Sequence, residues 1–126
     1  MNLKMFLTYT SFIEALTGIF LMVRPSRFVA LLFNVNIEGG GIILTMIAGA
    51  AIFSLSTVVW LTRYNVLSTQ IVTMLIIYNL LLTAIVVFGA FSYLFRGGGL
   101  WLVILFHTIQ SVICAVFLMK NITVKK

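Results

Sequence analysis

Charge is what this sequence has least of. Of 126 residues, eight are Lys or Arg and two are Asp or Glu. A soluble domain carries about 25% charged residues, whereas this chain carries 8%. Ten charges cannot coat a soluble globule of this size. The shortage excludes a soluble enzyme, a disordered tail and a nucleic-acid-binding domain. One cysteine, Cys114, leaves no intrachain disulfide and no thiol pair. One histidine, one cysteine and two acids cannot build a structural zinc site from a single chain, nor supply two histidines to a haem. A Gly-rich phosphate loop after a strand, a nucleophile elbow and a paired-carboxylate site are all missing, so no catalytic constellation can be assigned and no cofactor is required.

What fills the space is apolar. Hydrophobic residues make up 63% of the chain and mean hydropathy is +1.24. A membrane-crossing helix needs about 20 apolar residues, so residues 1–126 hold one membrane domain of four spans. The runs predict spans over 5–23, 42–62, 67–94 and 100–119. They are too long and too unalternating for strands, and lipid demands a backbone satisfied within the segment. Short links after the second and third spans favour antiparallel neighbours. The expected fold is therefore all-α, an up-down four-helix membrane bundle. Thr8, Thr10, Ser11 and Glu14 interrupt the first run and no A-x-A-like site follows, so it is expected to be a retained span rather than a signal peptide.

The first connection is the longest. Pro25 suits a helix start, and Phe28, Leu31, Leu32 and Val35 recur at helical spacing with Arg27 and Asn34 opposite. This pattern predicts a short helix over 25–36 in the membrane interface; a loop covering one end of the bundle is the alternative. Two glycine triplets, Gly39–Gly41 and Gly97–Gly99, read as turn chemistry. Arg24, Arg27, Trp60 and Trp101 fall at span ends and are expected to anchor the chain in headgroups. Lys4, Arg63, Lys120, Lys125 and Lys126 fall on one side, and Arg24, Arg27 and Arg96 on the other. The excess places both termini in the cytoplasm, at a plasma or inner membrane. The Asn121-Ile122-Thr123 acceptor pattern would then be silent.

Glu14 is the exception among the charges, because it falls inside a span. An acid at mid-membrane costs about 2.5–3.5 kcal/mol on insertion scales. Something must offset that, either a function in proton exchange or a structural lock between helices. His107, Gln110, Ser111 and Cys114 form one polar stripe on the fourth span, and Thr10, Glu14, Thr17 and Gly18 a matching one on the first. Asn79 and Thr83 share a face of the third span, and Thr45, Gly49 and Ser56 give the second a small-residue face. Glu14, Asn79, His107 and Gln110 are thus expected to form one polar layer near the midplane. It either lines a pocket or proton path, or is a hydrogen-bonded lock in which Glu14 pairs with His107. Tyr78 is left undecided by periodicity.

The layout from Glu14-Ala15-Leu16-Thr17-Gly18 through Pro25 and Gly41 to Ala48-Gly49-Ala50-Ala51 and two further spans resembles the DoxX-like group of small four-helix membrane proteins. That resemblance implies a four-span bundle, with a link in some members to quinone-dependent sulfur oxidation, so a quinone is the one cofactor it suggests. A single acid in the first span, Glu14, also resembles the small multidrug resistance family. Members exchange protons for hydrophobic cations as antiparallel dimers; the longer first connection departs from that pattern. Two function classes stand. One is a membrane protein that binds a small apolar or quinone-like molecule, or a membrane partner, at the polar layer. The other is a proton-coupled transporter using Glu14. The expected partners are the lipid bilayer and either a second copy or another membrane protein, not nucleic acid.

Overall fold

The computed structural model describes residues 2–64, 68–93 and 96–124. Among them are five helices and no strand: α1 (Leu3–Val23), α2 (Pro25–Phe33), α3 (Gly40–Thr62), α4 (Ser68–Ser92) and α5 (Leu100–Val124). The four long ones are each long and apolar enough to cross a membrane. The chain is an all-α membrane four-helix bundle with one short extra helix. The limits expected for the third span, Leu67 and Leu94, lie outside the described residues, as do Asn65, Lys125 and Lys126.

The helix ends have local causes. The Asn2 side chain accepts from the Met5 amide at 2.8 Å and caps α1. Arg24 breaks the helix, and Pro25 restarts it as α2. Asn34 adopts a left-handed conformation at φ 54° and ends α2 there. The short helix thus ends before the expected range of 25–36 does. Gly39 also has positive φ, and the turn into α3 follows directly.

Packing divides the bundle into two antiparallel pairs, α1 with α3 and α4 with α5. Small residues set the first pair. A Cβ on Gly18 would stand 2.7 Å from the Gly49 carbonyl oxygen, and one on Gly49 would stand 2.7 Å from that of Gly18. The two backbones therefore touch. The pairs join at one end, where Phe6, Leu7, Val59, Val72, Leu75 and Cys114 form a single buried cluster. This end is sealed. Lys4 lies over the Tyr64 ring at 4.3 Å, and the Arg63 guanidinium over Trp60 at 3.4 Å, so cations and aromatics collect at its rim. Lys4 and then Arg63, by hydrogen bonding and charge, draw the exposed Tyr64 phenol below its ordinary value.

The other end is built differently. There α2 lies across the bundle, touching α1, α3 and α5. Phe28 packs edge-on to Phe20 with centroids 5.5 Å apart. The Gly99 amide donates to the Leu31 carbonyl at 3.0 Å, and a Cβ on Gly97 would fall on the Leu32 carbonyl. The second glycine triplet is therefore a docking surface for α2 as well as a turn. Gly97→Val is expected to detach α2, while Gly98→Ala, which meets nothing within 4 Å, leaves it seated. Limited proteolysis around Arg24 and Arg27 measures the difference. Equal cleavage of the two variants would contradict this docking.

Candidate functional site

With one end sealed and the other bridged only by α2, the pairs leave a cavity of about 860 Å³ between them. All five helices contribute to it. Its walls are apolar: Leu21 from α1, Phe28, Val29 and Leu32 from α2, Leu44 and Ile52 from α3, Leu82 and Val86 from α4, Leu102 and Phe106 from α5. Its polar groups are few and converge at the inner end: Glu14, Tyr78 and His107, with Thr17 and Thr45 on the walls. The hydroxyls of Thr17 and Thr45 are already committed to the carbonyls of Ile13 and Gly41. At 1.5 Å per residue, Glu14 is about 13 Å from the α2 end of its helix and His107 about 10 Å from that of α5. The floor thus lies within the membrane core.

The floor is held by a buried hydrogen-bond chain. Asn79 is 0% exposed and its amide nitrogen donates to the Leu75 carbonyl at 2.6 Å. A carbonyl can only accept, so the nitrogen must face Leu75 and the Asn79 Oδ1 must face His107. The His107 Nδ1 lies 2.5 Å from that oxygen and is therefore the donor. The ring then carries its proton on Nδ1 and presents Nε2 as an acceptor. No protein group among the described residues hydrogen-bonds Nε2. Ser111 donates back to the His107 carbonyl at 2.9 Å. Phe106 and Tyr78 stand edge-on to the imidazole at 5.3 and 5.9 Å, fixing its plane.

Glu14 is 6% exposed and 3.9 Å from His107 Nδ1, beyond hydrogen-bond reach. Its neighbour is the Tyr78 hydroxyl. Yet Glu14 Oε1 and the Tyr78 hydroxyl have no bond of good geometry to any described protein group. Two buried polar atoms are left without a partner, on residues that line the cavity.

Of the four residues expected to share a polar layer, Glu14, Asn79 and His107 come together. Glu14 and His107 line the cavity, and Asn79 stands behind His107. Gln110 is buried at 4% exposure but does not line the cavity. It sits nearly a turn further toward the sealed end, its Oε1 unpartnered. Tyr78, which periodicity left undecided, is the third member. It follows directly on Ile77, which is 55% exposed, and turns toward the bundle. Arg24, Arg27, Trp60 and Trp101 are all exposed at the two ends of the bundle and none lines the cavity. No group of three His, Cys, Asp or Glu among the described residues could hold a metal ion.

Together the fold and the cavity define a small four-span membrane protein with a polar-floored intramembrane pocket. Comparison with family models, with curated proteins and with solved structures returns no match.

Proposed function

We propose that this protein binds a compact apolar molecule with a polar head, a quinone-like ring being one such shape, in the cavity between the two helix pairs. The observation that carries the reading is the convergence of Glu14, Tyr78 and His107, each with a polar atom that has no protein partner among the described residues, at the end of an otherwise apolar chamber. Ligand sites are typically apolar, with a few placed polar groups, and an ionisable residue inside a membrane is by default functional. The resemblance to DoxX-like proteins points to the same class of ligand. Lys4, Arg63 and Lys120 collect at the sealed end, so the proposal sets both termini in the cytoplasm and the α2 end on the opposite side.

The test is calorimetric titration of the purified protein with a short-tailed benzoquinone and its hydroquinone. Saturable binding of at least one is expected, weakened at least tenfold by His107→Leu. No saturable heat with either would sink the reading.

The same acid supports a second reading, exchange of protons for hydrophobic cations. Exchange requires Glu14 to be reached from each side in turn, and on one side a buried apolar cluster of Phe6, Leu7, Val59, Val72 and Leu75 stands between it and the end of the bundle. Proton release on adding a hydrophobic cation to wild type, lost in Glu14→Gln, would favour exchange over binding. No release from wild type is the expected result.

A further inference from the structure

The cavity has sides as well as a floor, and these bear on what enters it. Among the described residues, neither α3 nor α1 packs substantially on α5, and the most exposed cavity-lining side chains lie on α3 and α5. On the flanks of α3 and α5 that line the cavity, Leu44 is 68% and Leu102 69% exposed, and Leu105 is exposed beside them. In a bilayer these flanks meet acyl chains. The end of the chamber facing water is crossed instead by α2, pinned through Leu31 and Gly99. The wide opening is toward lipid.

The floor constrains the head. No Lys or Arg is among the residues lining the cavity, so a carboxylate or phosphate would sit beside Glu14 with no cation to offset its desolvation. His107 Nε2 accepts and cannot donate, because the proton is held on Nδ1 by Asn79. The Tyr78 hydroxyl can donate. A head that donates to Nε2 and accepts from Tyr78 through a single atom, and stays uncharged near neutral pH where an alkylamine would be a cation, is a hydroxyl.

We infer that the cavity is loaded sideways from the bilayer, between α3 and α5, and selects an uncharged lipophile headed by a hydroxyl, with its tail left in the lipid. This rests on the binding function proposed above and narrows it to one head chemistry and one route.

The experiment uses the full chain in phosphatidylcholine nanodiscs and an alkylphenol with a diazirine in its tail. Competitors are 4-octylphenol, its methyl ether and octyltrimethylammonium. The phenol is expected to displace the probe at least tenfold more strongly than either of the others. Crosslinks are expected on α3 and α5 near Leu44, Leu102 and Leu105. Tyr78→Phe, which keeps the ring, should weaken phenol and ether alike by about three- to tenfold and leave the gap between them, because both accept through oxygen, while the unfolding transition stays in place. Equal competition by the ether or the ammonium ion, or crosslinks confined to α2, would overturn the inference and leave ligand binding standing. Absence of any saturable labelling would remove both.

Discussion

Gly18→Leu is expected to separate α1 from α3 and to cost the protein most of its folded population in mild detergent. The cause is geometric. At position 18 a Cβ meets the Gly49 carbonyl oxygen at 2.7 Å and the Phe53 amide nitrogen at 2.8 Å. Both are backbone atoms of a helix, and neither can swing aside as a side chain would. Overpacking against mobile side chains costs about 1–3 kcal/mol. Here two helix axes must move apart, so the loss should reach or exceed the upper end of that range. Lipid gives helix pairs no hydrophobic drive of their own, so close packing is what holds them. Gly49→Leu should be equally damaging, because its Cβ would meet the Gly18 oxygen and the Leu21 Cβ. Size-exclusion profiles and thermal unfolding in detergent give the readout. A Gly18→Leu protein that melts with wild type would show that the backbones do not touch.

The second large effect is expected at Asn79. Asn79→Leu removes the only acceptor among the described residues that His107 Nδ1 has at hydrogen-bond distance. A buried donor left without a partner costs about 1–3 kcal/mol, and more of that range applies where no water can reach. Asn79 is fully buried. The imidazole would then be free to turn its Nδ1 toward Glu14, now 3.9 Å away, taking up the acid that forms part of the floor. Loss of stability and loss of ligand binding should therefore come together. The double variant Asn79→Leu/His107→Phe should recover most of the stability and none of the binding, since replacing both partners of a buried bond by apolar groups is close to neutral. Recovery of neither would show that the pair holds the helices by packing rather than by its hydrogen bond. A double-mutant cycle on unfolding free energy measures the coupling directly.

These two sites show which parts of the molecule can be read from sequence. The four long helices follow from apolar runs that only a helix can satisfy in lipid. The small faces of α1 and α3 were visible as Gly18 and Gly49, and the contact between them is the packing such residues permit. Glu14, Asn79 and His107 stood out because polar groups in apolar runs demand partners. Gln110 stood out equally, and the same stripe logic placed it in the layer. A helical stripe fixes direction but not depth relative to a cavity, and Gln110 lies on the sealed side of His107. Tyr78 gave no signal, since a tyrosine at a span centre packs equally well on lipid or on protein.

The cavity itself was not legible. It exists because α1 pairs with α3 and α4 with α5 while the buried apolar cluster joining the two pairs lies toward one end, and pairing is a property of shape summed over many side chains. The nearest sequence signal was the second glycine triplet. Gly97 permits a backbone approach by α2 that any side chain would block, and an approach of that kind implies that the first connection folds back over the bundle. The turn at Asn34 was equally hidden, because asparagine enters the left-handed region by local hydrogen bonding and small size rather than by pattern.

His107 is the sole histidine of the chain, so selective 15N labelling of histidine reports on one imidazole at the floor of the cavity. The direct measurement is its ring-nitrogen spectrum in nanodiscs, with and without 4-octylphenol. The expected spectrum shows the proton on Nδ1 and a bare Nε2, with added phenol moving the Nε2 resonance strongly and the Nδ1 resonance little. A proton on Nε2, or ring signals unmoved at saturating phenol, would contradict a ligand site built on Glu14, Tyr78 and His107.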